Sequence, residues 1–382
     1  MGQLSLTDNE RKVLLTVMSY PEHSDTDLSR AVDMNIYTFN KVKNSLISRG
    51  LIRKTAVPNY SLTGFELMVF TYGTDMDSFL DPFNRRDLIS GFESKIPARF
   101  IFKIMEMHQG LGIHAVEDFT GLKRGLKLKR DLINELGIEI GSMTHVKFSF
   151  RDSTIKRFFD MLPMLREEFG SGFDIPKMDP KNPAQESASI SWEEFFSDVG
   201  ERSFDDMDGL NRDVLIRTVS EPDESDQKTA TELGVSRYKI RKAKEELFTE
   251  GFLKTSYVPD IKGFGFEVVL FTHMIFKNDD PIHRYFSSME EGFIPAMFHL
   301  VYDGLEGCGM GLFHKLSDAS WAYHNLQDRM KNMNAIEKNP HLQLFSVSNS
   351  LTEYPFDFAQ PLINRGSWEL DREYLEMVKT RP

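Results

Sequence analysis

An internal repeat constrains this chain more than any other feature. Residues 11–71 and 212–272 align without a gap at a constant offset of 201. A repeat of this length means that one supersecondary unit is used twice, so the unit has to be identified before single residues are interpreted. The identical pairs include Gly50 with Gly251, Pro58 with Pro259, Tyr37 with Tyr238, and residues 64–66 with 265–267.

Each copy has the pattern of three helices followed by two strands. In the first copy, apolar residues at helical spacing predict a helix over about 7–19, a short helix after Ser24, and a third over about 36–48 that ends at Gly50. Two antiparallel strands with a turn at Pro58 and Asn59 then predict a hairpin wing. The turn between the second and third helices is predicted more strongly in the second copy, because Gly234 lies at this corner. The unit is predicted to be a winged helix-turn-helix.

A second, weaker repeat follows each wing. The segments IPARFIFKIMEMHQGLGIHAVEDF and IPAMFHLVYDGLEGCGMGLFHKL match at several positions, including Gly110 with Gly307 and Gly112 with Gly309. In the first copy, strands are predicted near 66–73, 98–107, 112–119 and 143–150, with helices near 77–90 and 121–136. This order is βαββαβ, a ferredoxin-like unit with both helices on one face of its sheet. The fold class is therefore α+β, a tandem repeat of a winged helix and a ferredoxin-like domain.

These patterns predict six segments along the chain. An amphipathic helix in IKRFFDMLPMLREEF and a linker in DIPKMDPKNPAQESAS separate the halves. The C-terminal stretch WELDREYLEMVKTRP aligns with the first helix of each copy and is a candidate start of a third unit. The segments are winged helices at 1–64 and 204–265, ferredoxin-like domains at 65–152 and 266–352, a helical linker at 153–203 and an extension at 353–382.

The amino-acid composition is typical of a folded globular protein. The chain has 382 residues, 40% hydrophobic and 27% charged, close to globular averages. It has no apolar run of membrane-spanning length and no signal-peptide pattern, so we expect a cytoplasmic protein without a membrane partner. Cys308 is the only cysteine, which excludes an intrachain disulfide and a cysteine-based zinc site. No cofactor and no metal are expected.

Local charge favours double-stranded DNA as a partner although the net charge is −12. Two basic patches without acidic residues lie on the third helix of each copy, and charge acts only over about 10 Å at 0.1 M salt. Recognition helices at about 36–48 and 237–249 are predicted to contact base edges in the major groove of the DNA. The lysines and the arginine of the wings are predicted to contact the phosphate backbone of the DNA. The predicted DNA-binding residues are Asn35, Tyr37, Thr38, Lys41, Lys43, Asn44, Arg53 and Lys54 in the first copy, and Ser236, Arg237, Tyr238, Lys239, Arg241, Lys242, Lys244 and Lys254 in the second.

The segments SDTDLSRAVDMNIYTFNKVKNSLISRGLI and SDQKTATELGVSRYKIRKAKEELFTEGFL resemble the helix-turn-helix of Lrp/AsnC (feast/famine) transcription regulators. The resemblance implies a DNA-binding regulator that is not an enzyme, with a ferredoxin-like domain for pairing and for sensing a small effector. It places effector residues at Gly110, Gly112, Gly307 and Gly309, which are equally explained as turn glycines with positive φ. The sequence departs from the family in fusing two units, so pairing occurs either within one chain as a pseudo-dimer or between two chains.

Two alternatives remain open. The same two-domain plan is used by sirohaem decarboxylases, where histidines and arginines act on a tetrapyrrole. His108 and His114 flank the first glycine pair and His299 and His314 the second, but they do not fall at matching positions: His114 aligns with Gly311. The other alternative is a protein-interaction adaptor whose winged helices do not touch DNA.

Overall fold

The computed structural model describes residues 6–74, 99–106, 109–135, 142–170, 173–197, 203–277, 296–336, 338–353 and 355–366. The chain forms two compact units, each built from two stretches of sequence. Residues 1–59 and 152–348 form the first unit, and residues 60–151 and 349–382 form the second. The α+β class and the tandem winged-helix and ferredoxin-like plan are confirmed.

The first helix-turn-helix begins where the capping residues predict. Helix α1 (Asp8–Ser19) has a capping box between Thr7 and Glu10. Ser24 caps α2 (Asp25–Ala31), and Asn35 caps α3 (Ile36–Ser48), which ends before Gly50 at φ +70°. Because Leu14, Phe39 and Leu46 are fully buried, the three helices share one small apolar core.

The second copy has the same three helices in the same compact unit. They are α8 (Gly209–Ser220), α9 (Asp226–Glu232) and α10 (Arg237–Thr249), with Asp208, Ser225 and Ser236 as their caps. Both helix-turn-helix corners are left-handed: Asp33 has φ +51° and Gly234 has φ +66°. The corner therefore has the same backbone conformation in both copies, and only the second uses glycine for it.

The wings do not form the predicted hairpins. Strand β1 (Ile52–Pro58) pairs with β7 (Leu253–Pro259) of the other copy, antiparallel, in a two-stranded sheet. Thr55 lies opposite Ser256, which is its own equivalent in the repeat. A local two-fold axis therefore passes through this pair and relates the two winged helices. The hairpin prediction was wrong because an alternating strand pattern does not specify which strand is the partner.

Both ferredoxin-like sheets have five strands. The sheet of the second unit contains β2 (Leu67–Thr74), β3 (Phe100–Glu106), β4 (Gln109–Val116) and β5 (Met143–Ser149), and α4 (Phe119–Glu135) packs on one face. The sheet of the first unit contains β8 (Val268–Ile275), β9 (Met297–Asp303), β10 (Glu306–Phe313) and β11 (His341–Ser346), with α11 (Leu316–Asn332) on one face. The predicted helix at 77–90 lies outside the described residues.

Each sheet gains its fifth strand from the segment that follows the other sheet in sequence. Strand β6 (Thr154–Arg157) pairs with β9, and β12 (Leu351–Glu353) pairs with β3. The strand orders are β12-β3-β4-β2-β5 and β11-β8-β10-β9-β6. We call residues 154–169 and 351–366 the first and second arm; they end in the helices α5 (Leu162–Phe169) and α12 (Gln360–Ile363). The helix predicted from Ile155 is thus a strand followed by a shorter helix.

The two arms repeat each other in detail. Phe159 and Phe356 both have positive φ, +53° and +57°. The next residue in each arm is an aspartate whose backbone N–H donates to an equivalent carbonyl, Asp160 to Phe298 at 2.7 Å and Asp357 to Ile101 at 2.9 Å. The carboxylate of each then accepts from a backbone N–H two residues further on, at 3.0 and 3.1 Å. The repeat therefore includes the arms, which the sequence comparison missed.

The segment predicted as a linker packs against the first unit. It contains α6 (Pro183–Ser189) and α7 (Trp192–Ser197), and the side chains of Gln185, Ser187 and Trp192 are buried. The possible third unit after residue 366 lies outside the described residues. Among the described residues, no helix is both long and apolar enough to cross a membrane.

Candidate ligand cleft on the first ferredoxin-like sheet

A small cleft of about 30 Å³ opens on the sheet of β2 to β5, on the face that also carries α4. Four strands contribute to it, because alternate residues of neighbouring strands share one face. Its lining includes Thr71, Gly73, Phe100, Lys103, Met105, Gly110, Gly112 and Met143. The volume has room for one or two water molecules and lies below the range for small-molecule sites.

Glycine at position 112 makes room for the aromatic wall of the cleft. A Cβ atom there would lie 2.6 Å from a ring carbon of Phe100 and 3.3 Å from Nε2 of His114. The missing side chain therefore lets both rings lie across β4. Gly110 and Gly112 lie inside a strand without positive φ, so the turn-glycine interpretation is wrong for them. The same holds for Gly307 and Gly309 in β10, where the left-handed turn glycine is Gly304.

An aromatic ring and a cation line the cleft, and an imidazole lies against the ring. The rings of Phe100 and His114 have centroids 4.0 Å apart, tilted by 37°. The ammonium of Lys103 lies 5.2 Å from the Phe100 centroid, within cation–π range. Lys103 is only 6% exposed, so its side chain is largely shielded from water.

A second imidazole lies beside the cleft on β5. Thr71 and His145 lie opposite each other on neighbouring strands, and Oγ1 of Thr71 is 2.9 Å from Nδ1 of His145. This hydrogen bond orients the imidazole ring. Lys147, two residues along β5, lies over the ring of Phe119 at 5.9 Å and adds a cation to the same sheet face.

A buried ion pair supports the start of β3. Arg99 is 4% exposed, pairs with Glu117 and donates to the carbonyl of Asn364 at 3.0 Å. Burial lowers the pKa of Arg99 to about 10, so it stays cationic at neutral pH. The backbone N–H of Gly366 donates to Glu117 at 2.8 Å. The second arm is thereby connected to the strand that carries Phe100 and Lys103.

The equivalent face of the second sheet is apolar. Lys103 lies opposite Gly112 in the first sheet, and Leu300 lies opposite Gly309 in the second, so Leu300 is the equivalent of Lys103. In the same way Leu342, opposite Thr272, is the equivalent of His145, opposite Thr71. The same registers make Met297 the equivalent of Phe100, Gly311 that of His114 and Leu344 that of Lys147.

The histidines of the second sheet have structural surroundings. His299 is fully buried, with its ring 4.5 Å from that of Phe159, and burial lowers its pKa to about 3. Its equivalent is Phe102, which stacks on Phe356 at 5.3 Å. His299 therefore serves as a neutral aromatic packing residue. His314 contacts Glu168 at 2.9 Å and the carbonyl of Gly265 at 3.0 Å, and so connects α5 to this sheet.

The predicted DNA-binding residues lie mostly on exposed helix faces, and many of their charges are already paired. Tyr37 and Tyr238 are 76% and 73% exposed at the starts of α3 and α10. The equivalent lysines Lys43 and Lys244 contact the first residue of α2 and of α9, at 2.7 and 2.8 Å. Further pairs are Lys54 with Glu22, Arg241 with Glu245 and Lys242 with Glu246.

The position of Lys254 contradicts the prediction that this residue contacts DNA. It is 4% exposed, and its ammonium donates to the carbonyls of Ser187, Ala188 and Ile190 at 2.9, 3.0 and 2.6 Å. A buried ammonium held by three carbonyls does not reach a phosphate. Its repeat equivalent, Arg53, is exposed on β1, so the buried environment is specific to the second copy.

Comparisons with known proteins identify a full-length structural likeness and no family. No family model and no curated protein sequence matches the chain. The siroheme decarboxylase NirDL, solved in co-complex with an iron-uroporphyrin III analogue, matches with a TM-score of 0.52 and 11% identity, over 97% of this chain and 100% of that one. A second structure of that decarboxylase matches with a TM-score of 0.49 and 12% sequence identity, over 98% of this chain and 100% of that one. The structure of AsnC from E. coli matches with a TM-score of 0.30 and 17% sequence identity, over 37% of this chain and 91% of that one.

These findings correct the predicted function. The transcription-regulator prediction, and with it the prediction that the chain is not an enzyme, is contradicted, because the structure that matches 97% of this chain at a TM-score of 0.52 is that of an enzyme. The AsnC-family structures match over 37% of this chain.

Sequence reasoning missed the residues that give the cleft its chemistry. Phe100, Lys103, Thr71 and His145 were not singled out, and His114 was set aside because no histidine matched it in the second copy. The signal was present: Lys103 interrupts the apolar strand FIFKIM, where the second copy has FHLVYD without a lysine. A polar residue in one copy of an otherwise apolar repeat position marks divergence of function.

Proposed function

We propose that this chain binds an anionic tetrapyrrole in the cleft of the first ferredoxin-like sheet and removes a carboxylate from it as carbon dioxide. One observation carries the proposal: a cleft lined by Phe100 and Lys103, with His114 against the Phe100 ring, occurs on a fold whose full-length match is a siroheme decarboxylase holding an iron-uroporphyrin III analogue. A flat polycarboxylate macrocycle suits an aromatic surface and a cation of low exposure, and Phe100 and Lys103 supply them.

The chemistry is redox-neutral. An acetate side chain R–CH₂–COO⁻ loses CO₂ when its C–C bond breaks; the electron pair stays on the carbon, which takes up one proton to give R–CH₃. The protein therefore has to supply a proton donor and an environment that does not stabilise the reacting carboxylate. A carboxylate paired with an ammonium is stabilised against CO₂ loss, so Lys103 holds a carboxylate that is retained.

The proton donor in this proposal is an imidazole of the same face. His114 lies against Phe100, where a stacked pyrrole would lie, and His145 is oriented by Thr71. Imidazole is the side chain that most often acts as a general acid or base near neutral pH. The reacting carboxylate lies toward Met105 and Met143, where an apolar wall favours neutral CO₂ over the anion.

The test uses the full chain and two ligands. Titration with iron-uroporphyrin III, followed by its absorbance, is expected to show saturable binding that weakens at least tenfold in Lys103→Met. Leu300→Met is the matched control at the equivalent position, and its affinity should equal that of the wild type. Anaerobic incubation with siroheme is expected to give a product lighter by CO₂, detected by mass spectrometry. Absence of binding by the wild type, or binding without any loss of CO₂, refutes the proposed activity.

A further inference from the structure

The two ferredoxin-like domains have the same strand order, so the chain has two positions where an equivalent cleft could form. We infer that only the first domain binds ligand and that the second is a closed scaffold, giving one site per chain. This inference rests on the proposed function for the identity of the ligand. Its own basis is the set of differences between equivalent positions of the two sheets.

The first difference is chemical. On the helix-bearing face, the two lysines and two imidazoles of the first sheet are replaced in the second by three leucines and a glycine: Leu300, Leu342, Leu344 and Gly311. Among the described residues at these equivalent positions, the second sheet retains neither a cation nor a proton donor. A carboxylate placed there would lose its hydration without a compensating contact, which is unfavourable.

The second difference is steric. Met297 takes the place of Phe100, and its side chain lies over both glycines of β10. A Cβ atom at Gly309 would be 3.1 Å from Cε of Met297, and one at Gly311 would be 3.1 Å from its Sδ. In the first sheet Phe100 lies over Gly112, and both Gly110 and Gly112 still line the cleft, whereas Met297 covers both glycines of the second sheet. Flexible methionine side chains fill irregular gaps of this kind.

The third difference is the core around that methionine. Met297, Leu300 and Tyr302 belong to one apolar cluster with residues of α11, including Leu326 and Met330, all at most 7% exposed. Opening a cleft here would expose several of these apolar side chains to water, which costs free energy. Ligand binding at this position would have to supply that free energy without any charged contact.

The experiment measures stoichiometry on the intact chain. Iron-uroporphyrin III is titrated into protein at a concentration well above the dissociation constant, and the end point is checked by native mass spectrometry. One equivalent per chain is expected in the wild type and in Leu300→Met. Binding should weaken at least tenfold in Lys103→Met and also in Lys103→Gln, which keeps a polar side chain and guards against loss of folding.

The outcomes separate the inference from the proposed function. Two equivalents per chain, or one equivalent with unchanged affinity in both Lys103 variants, overturn the single-site inference while tetrapyrrole binding stands. No binding by a folded wild type overturns the proposed function and the inference together. One equivalent with weakened binding in both Lys103 variants and unchanged binding in Leu300→Met supports both.

Discussion

At the scale of residues, one buried cation distinguishes the second copy from the first. The ammonium of Lys254 has three N–H donors and three carbonyl acceptors, a complete match. Burial lowers its pKa to about 8, so it is still mostly protonated at neutral pH. The rings of Trp192 and Phe195 lie 5.1 and 6.0 Å from the ammonium. This residue thus anchors α6 and α7 to the strand β7.

Replacing Lys254 with methionine should lower the free energy of unfolding by about 2 kcal/mol. Methionine keeps the volume but leaves three carbonyls without a donor, and each unsatisfied buried group costs about 1 to 3 kcal/mol before relaxation. Arg53→Met at the exposed equivalent position should cost less than about 0.5 kcal/mol. Urea denaturation of the two variants measures the difference. Equal stabilities would mean that water replaces the ammonium at these carbonyls.

His299 should make folding sensitive to acid. Its folded pKa is about 3, below the value of about 6.5 in an unfolded chain. Between these values the unfolded state binds a proton that the folded state excludes, so stability is present above pH 6.5 and is lost as the pH falls. From pH 6.5 to pH 5 this group alone removes about 2 kcal/mol.

His299→Phe should therefore flatten the dependence of stability on pH. Phenylalanine is the natural residue at the equivalent position, Phe102, and it stacks on its own arm in the same way. We expect near-wild-type stability at pH 7 and a gain of about 2 kcal/mol over the wild type at pH 5. Denaturant midpoints at the two pH values measure this. Parallel losses in both proteins would place the acid sensitivity in other groups.

At the scale of elements, the sequence predicted helices well and strand partners poorly. The caps at Thr7, Ser24 and Ser236 and the stop at Gly50 are local signals, and the helices begin and end there. Pairing of β1 with β7 joins residues that are 195 to 207 positions apart, which no local pattern encodes. The arms were missed because a four-residue edge strand is too short to show a period, although Phe-Asp followed by Pro occurs in both.

The second arm should affect ligand binding, whereas the first should not. Strand β12 pairs with β3, where Glu353 lies opposite Lys103 of the cleft. Asp357 holds this arm by accepting from the backbone N–H groups of Ala359 and Gln360 at 3.1 and 3.2 Å. Its equivalent Asp160 holds the first arm on the other sheet, which has no proposed ligand.

Asp357→Ala and Asp160→Ala therefore form a matched pair. Both should lose about 1 kcal/mol of stability, the usual cost of removing a capping carboxylate. Only Asp357→Ala should weaken binding of iron-uroporphyrin III, by about fivefold if that free energy is transmitted to β3. Equal affinities in both variants, at equal loss of stability, would show that the arm does not position the cleft.

At the scale of the whole molecule, the repeat predicted the architecture correctly but led to a wrong prediction of the function. Matching positions revealed two winged helices and two ferredoxin-like domains, because buried positions and turns tolerate little change. The proposed site lies where the copies differ, at Lys103 and His114, and a search for matching histidines passed over it. Shared positions report the scaffold, whereas the diverged positions on one sheet face report the chemistry.

The pseudo-two-fold pairing of the winged helices should be a property of the single chain. Thr55 and Ser256 lie opposite each other on β1 and β7, a separation across antiparallel strands that suits a disulfide. The double variant Thr55→Cys with Ser256→Cys is expected to form an intrachain disulfide on mild oxidation. Cys308 should not compete, because it is buried and burial raises the pKa of its thiol.

The measurement is the mobility of the oxidised protein on non-reducing gels over a hundredfold range of concentration. A fast-migrating monomer whose yield does not depend on concentration supports pairing within one chain, and either single-cysteine variant should show no such species. Covalent dimers that increase with concentration would mean that β1 of one chain pairs with β7 of another. The gel therefore decides between the pseudo-dimer and the homodimer for the winged helices, which the sequence alone left open.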